Sequence, residues 1–144
     1  MARKRRGENP RTQPRLATAH ARGPVMSQTT LLKKRSEMRQ EPLRNCHDGA
    51  GALDWTNVLD PSEVEGRQLH FLHDDVLAPG VSIGLHTHDD EEYYYIISGK
   101  GTMTLDGERC TVEAGDITAI YPGGSHALEN DGDEDLRVLV IGLR

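Results

Sequence analysis

The chain has 144 residues, is 35% hydrophobic and 28% charged, and carries a net charge of -6, which fits one domain rather than two. It contains no apolar run near the roughly 18 residues a membrane span needs, and its Arg-rich start is not followed by the apolar stretch of a secretory signal, so a soluble, cytoplasmic protein is expected. Cys46 and Cys110 match no CxxC or disulfide-framework spacing and read as free thiols.

Charge is divided unevenly along the chain. Residues 1–44 carry twelve Lys and Arg against three Asp and Glu, whereas the remaining hundred residues carry five against twenty. Residues 1–30 lack hydrophobic periodicity and are rich in Arg, Pro, Thr and Gln, a composition that cannot bury enough apolar surface to offset the entropy of ordering. They read as a disordered basic tail, within which Met26 is a second candidate start. Arg3 to Arg6 form a short basic run of the kind that is usually a solvated tail. Residues 31–48 form a charged N-terminal arm that runs through Glu41-Pro42, and a proline there disfavours a core helix. Such an arm could be ordered only on a partner.

From Gly49 onward, over residues 49–144, short apolar runs alternate with turn signals, the texture of an all-β sandwich or barrel. The pattern predicts strands over 53–59, 68–77, 81–86, 92–98, 102–105, 108–112, 117–121, 126–129 and 136–141. Asp106-Gly107 is the clearest turn, because a two-residue hairpin needs positive φ at both central positions. Eight or nine strands in about ninety residues imply two packed sheets or a closed barrel.

The chemistry sits on these strands. His86 and His88 are two residues apart, so on a strand both imidazoles project to one face. Glu92 opens the next strand after the acidic turn Asp89-Asp90-Glu91, and His126 opens a later one. Three imidazoles and one carboxylate suit a divalent transition metal and leave coordination positions free.

The spacing around these residues is distinctive. Gly80, His86, His88, Glu92 and Gly99 follow the pattern G-x5-H-x-H-x3-E-x6-G, and Gly115, Gly123, His126 and Asn130 follow G-x5-P-x-G-x2-H-x3-N, with Tyr121 where that pattern has proline. The chain thereby resembles a small single-domain cupin from about Leu53 to Ile141. The resemblance implies a jelly-roll β-barrel of two antiparallel sheets. It also implies one divalent metal per chain (Mn, Fe, Ni, Zn, Co or Cu), held by His86, His88, Glu92 and His126, and a homodimer. In some cupin lyases a tyrosine two residues after the ligand glutamate removes a proton from a bound substrate, and Tyr94 stands at that position.

Strand alternation places Tyr94, Ile96 and Ser98 on the face of Glu92, and Tyr93, Tyr95 and Ile97 on the other. His70 and His73, three apart, cannot both enter a common pocket. Met103 and Leu105 read as core, burial accounts for Trp55 and Phe71, and Cys110 reads as a small buried hydrophobe. Asn130 is expected to pair with backbone in the turn after it. Asp89 to Glu91 read as a solvated turn.

Two functional classes follow. One is a metal-dependent enzyme acting on a small carboxylate or carbonyl substrate, as lyase, isomerase, decarboxylase or dioxygenase. The other is a non-catalytic cupin module that binds a metal or small ligand in a sensing or accessory role. A strongly acidic barrel without a helix-turn-helix argues against contact with nucleic acid, and no membrane partner is expected.

Overall fold

A computed structural model describes residues 30–144 together with the backbone of Val25 and Met26. The disordered-tail reading of residues 1–30 therefore falls almost wholly outside the described residues. Val25–Met26 (β1) and Leu31–Leu32 (β2) pair antiparallel as a small unit of their own. Residues 33–144 form the other compact unit.

That unit contains strands β3 (Arg39–Arg44), β4 (Ala52–Leu59), β5 (Leu69–Leu77), β6 (Ser82–Thr87), β7 (Glu91–Ser98), β8 (Lys100–Leu105), β9 (Glu108–Glu113), β10 (Ile117–Ile120), β11 (Ser125–Glu129) and β12 (Leu136–Leu143), with single 3₁₀ turns at Arg35–Glu37 and Cys46–Asp48. They form a six-stranded sheet in the order β10-β7-β12-β5-β4-β3 and a four-stranded sheet in the order β6-β11-β8-β9. Every paired neighbour is antiparallel. This is the two-sheet antiparallel jelly roll that the resemblance implies, and β4 to β12 correspond one to one with the nine predicted strands.

Alternation on the central strand β12 explains why the register is fixed. Leu136, Val138 and Val140 are buried, while Arg137, Leu139 and Ile141 face away. Burying each such aliphatic side chain is worth about 1.5–3 kcal/mol, and a slip of one residue would turn Arg137 into the core in their place. The Asp106-Gly107 hairpin has positive φ at both positions, 47° and 87°, as its sequence requires. Asn130, fully buried, donates to the carbonyls of Leu77 and Glu134 and accepts from the Gly132 N–H.

Three expectations are corrected. The arm does not wait for a partner: Arg39–Arg44 pairs in register with β4 of the same chain. Two ion pairs tie down the residues before it, Lys33 to Glu63 at 2.7 Å and Arg35 to Asp74 at 2.8 Å. Cys110 is exposed rather than buried. It pairs with the buried Met103, but β9 is the edge of its sheet, so its inward face is only partly covered. Ser98, expected beside Glu92 and Tyr94, is exposed because β7 ends there.

Candidate metal centre

The two sheets deliver four donors to one point. His86 lies on β6 and His126 on β11, where they are direct cross-strand partners. Glu92 comes from β7 in the opposite sheet. His88 lies just beyond the end of β6, and its backbone is held by the turn at Gly123-Gly124: the Gly123 N–H donates to the His88 carbonyl at 2.8 Å, and the His88 N–H to the Gly124 carbonyl at 3.3 Å. That turn follows the Tyr121-Pro122 departure in the second motif, so the substitution leaves the turn's anchoring of His88 intact.

The donor atoms of His86, His88, Glu92 and His126 all lie within 4.8 Å of one another. His126 Nε2 is 3.1 Å from His86 Nε2, 3.2 Å from His88 Nε2 and 3.0 Å from Glu92 Oε2, and His88 Nε2 is 3.1 Å from Glu92 Oε2. Adjacent ligands of an ion with bonds of about 2.1 Å stand about 3 Å apart. His126 and Glu92 are buried, at 2% and 5% exposure.

Proton bookkeeping tests whether these residues fit a cation. His86 Nδ1 donates to the Gly84 carbonyl at 2.8 Å and His88 Nδ1 to the Asp90 carboxylate at 3.3 Å, because neither partner can donate. In the neutral imidazoles both Nε2 atoms are then bare acceptors. At most one Nε2 proton, that of His126, is left to serve two imidazole nitrogens and a carboxylate oxygen, and the buried Glu92 Oε2 has no hydrogen-bond partner. Additional protons are disfavoured: burial, reinforced by the neighbouring imidazoles and opposed by the Gly84 carbonyl, pushes His86 down to about 4. A divalent cation resolves this excess of lone pairs, and the Nδ1 contacts are the supports that orient metal-binding histidines. The residues fit the group.

Behind the tetrad is a cavity of about 250 Å³ lined by His88, Glu92 and Tyr94 together with Cys46, His47, Trp55, Phe71, His73 and Asp75. A larger hollow of about 510 Å³ beside Gly99, Lys100 and Glu113 contains none of the tetrad; the convergence of polar groups makes the smaller cavity the chemical one.

Tyr94 is 3% exposed, with its ring 4.7 Å from that of His126. Burial and the carboxylates of Glu92 and Asp75 hold its phenol well above 10. His73 lines the cavity, and burial lowers it to about 4. His70 faces the other way, 3.6 Å from Asp90, as their spacing requires. Trp55 and Phe71 are cavity walls rather than closed core, Met103 is fully buried core, and Leu105 is half-buried. Within the acidic turn, Asp90 has a definite task, holding His88.

Sequence reasoning missed three contributors. The 3₁₀ turn Cys46–Asp48 crosses β6, where a Cβ on Gly84 would collide with the His47 carbonyl and one on Gly49 with the Ser82 carbonyl. This crossing lays His47 flat on His86, with ring centroids 3.6 Å apart and 6° between planes. It also inserts Cys46, whose thiol burial pushes up to about 11. The third contributor is Asp75, which is 4% exposed and is pushed up to about 8 by burial and by the charge of Asp74. Strict alternation from Phe71 to Leu77 was the signal that could have found it.

Comparison with known proteins agrees with this architecture. The family model for the cupin domain matches residues 74–142. The oxalate-binding protein of Thermotoga maritima is 32% identical over 114 residues, covering 78% of this chain and 93% of the relative. An uncharacterized protein of Methanocaldococcus jannaschii is 41% identical over 83 residues, 57% of this chain and 66% of that protein. Among solved structures, a predicted oxalate decarboxylase from Thermotoga maritima superimposes with a TM-score of 0.72 at 31% identity, covering 78% of this chain and 97% of that one. Among the described residues no helix is long and apolar enough to cross a membrane.

Proposed function

The chain belongs to the cupin family, and from that premise we propose that it is a metal-dependent cupin that holds one divalent transition metal on His86, His88, Glu92 and His126 and acts on a small carboxylate in the cavity behind them. The observation that carries the reading is the donor set itself: four convergent donors, at most one proton among them and a buried carboxylate oxygen without a partner. The carboxylate class is supported by relatives described as an oxalate-binding protein and as a predicted oxalate decarboxylase.

A bound divalent ion supplies Lewis acidity toward a ligand oxygen. The chain's own residues supply the rest. Gly84 and Asp90 fix the Nδ1 protons of His86 and His88, so that Nε2 of each faces the centre. Trp55 and Phe71 wall the cavity and limit water, which strengthens electrostatic contacts inside. In the enzymatic reading, Tyr94 carries the proton-transfer role. Burial and the neighbouring carboxylates hold the phenol protonated, and a cation held by the tetrad would act in the opposite sense.

The name of the Thermotoga relative favours a second reading, binding without turnover. The homodimer belongs to the same proposal, supported by Tyr95, Ile97 and Ile117, which share one exposed face of β7 and β10. Light scattering reads it directly.

The test is metal content of protein purified without tag or chelator, beside Glu92→Ala, followed by calorimetric titration with oxalate and assay of oxygen uptake and carbon dioxide release. About one metal per chain, lost in the variant, with oxalate binding is the expected result. Turnover then separates enzyme from binding module, and a site that cannot be loaded with Mn, Fe, Co, Ni, Cu or Zn overturns the reading.

A further inference from the structure

Asp74 and Asp75 are neighbours on β5 with opposite surroundings. Asp74 faces outward and is held by Arg137 through two hydrogen bonds of 2.7 Å and by Arg35 at 2.8 Å. Asp75 faces inward, is 4% exposed and lines the cavity, and its Oδ1 has no hydrogen-bond partner. No Lys or Arg lines that cavity. Thr56 provides a backbone hydrogen bond to Asp75, which favours the charged form, but with one oxygen unpartnered, no cation lining the space and the side chain buried, the charged form is disfavoured and the side chain is kept as the neutral acid. A neutral carboxylic acid carries an O–H donor, which here faces a space of about 250 Å³, on the order of eight water volumes.

The other polar groups facing this space are His88 and Glu92 of the tetrad, Tyr94, His73, His47 and Cys46. With Glu92 and His88 committed to the cation, the acid on β5 lines the same cavity as two of the cation's ligands. A ligand with oxygens at both ends would meet both the cation and the acid. We propose that Asp75 is the second recognition point of the cavity, donating its carboxylic O–H to an oxygen of a small dicarboxylate whose other end faces the His88–Glu92 side. This inference rests on the metal-dependent reading above and adds to it a second recognition point, which calls for a ligand with two carboxyl groups. A donor to an anionic oxygen forms the stronger, charge-assisted kind of hydrogen bond, whereas an ionised Asp75 would repel the same ligand.

The test uses oxalate as probe on the full-length, metal-loaded wild type, Asp75→Asn and Asp75→Leu, with metal content and melting temperature recorded for each. Asn keeps a hydrogen-bond donor in nearly the same volume, and Leu removes it. The expected result is full metal content in all three, oxalate affinity within about threefold of wild type for Asp75→Asn, and a loss of tenfold or more for Asp75→Leu, the size expected from losing one charge-assisted hydrogen bond. Wild-type affinity in Asp75→Leu overturns the inference and leaves the metal-dependent reading standing. A loss in Asp75→Asn equal to that in Asp75→Leu overturns the donor role. Metal-loaded wild type that does not bind oxalate overturns this inference and the carboxylate class together, and protein that takes up no metal overturns the reading beneath both.

Discussion

His47 lies on His86 as a parallel stack, ring centroids 3.6 Å apart, although the two residues belong to different elements and His47 reaches its place through a left-handed backbone conformation (φ 50°). The stack restricts rotation of the His86 ring from one side while the Gly84 carbonyl fixes its Nδ1. Groups that orient a metal ligand typically contribute 10–100-fold in affinity. His47→Ala is therefore expected to weaken metal binding about tenfold, and His47→Phe, which preserves a flat ring, to weaken it by less than threefold. Competition titration against a fluorescent chelator distinguishes these outcomes.

Metal binding should appear as stability. A ligand that binds only the folded state at 100 times its Kd stabilises by about 2.7 kcal/mol. Chelation is expected to lower the melting temperature of wild type and leave that of His126→Ala unchanged. The comparison is between each protein with and without chelator, because removing a fully enclosed imidazole lowers stability by itself.

Asp75 predicts a pH dependence of stability in metal-free protein. Its folded pKa of about 8 lies above its ordinary value of 3.8, so between those values the folded state keeps a proton that the unfolded state releases. Stability therefore falls as pH rises through this range. His73 and His86, both lowered to about 4 from 6.5, act in the opposite direction below pH 6.5. The window from pH 6.5 to 8 is thus left to Asp75. Wild type is expected to lose about 2 kcal/mol across it and Asp75→Asn to lose none, read by urea denaturation. A flat wild-type profile would sink the assignment.

The arm offers a fourth test. Arg35 is half exposed and bonds Asp74, which Arg137 also holds. Arg35→Ala should destabilise by only about 0.5–1 kcal/mol yet speed tryptic cleavage after Arg39 and Arg44 several-fold, because it removes one of the two ion pairs anchoring this segment. Unchanged cleavage kinetics would show that the β3–β4 ladder alone holds it.

Much of this architecture was legible in the residues. Period-two alternation and Gly, Pro and Asp turn signals located β4 to β12 within two residues at every boundary, and motif spacing picked out the four donors that converge. β3 was hidden because its sequence, charged and interrupted by Pro42, carries no apolar alternation. At a sheet edge the missing N–H is tolerated, and edge position depends on contacts distant in sequence. The same cause hid the exposure of Cys110. His47 and Cys46 were unreadable for a different reason: Asn45, His47 and Asp48 all have positive φ, which few non-glycine residues adopt and no local pattern announces. Asp75 was obscured by its neighbour, since two adjacent aspartates read as solvated charge until the strand separates them.

Gly84 contributes no side chain to the cavity, yet the polypeptide that closes one wall rests on it, with the His47 carbonyl where a β-carbon would be. A single added methyl at this position would lift the crossing turn and with it Cys46 and His47. The interior would then gain solvent, the field around His86 and Asp75 would be diluted, and groups several residues away would return toward their aqueous acidities. The hydration of the chamber is thus governed from its outside, by a residue whose only requirement is to occupy no space.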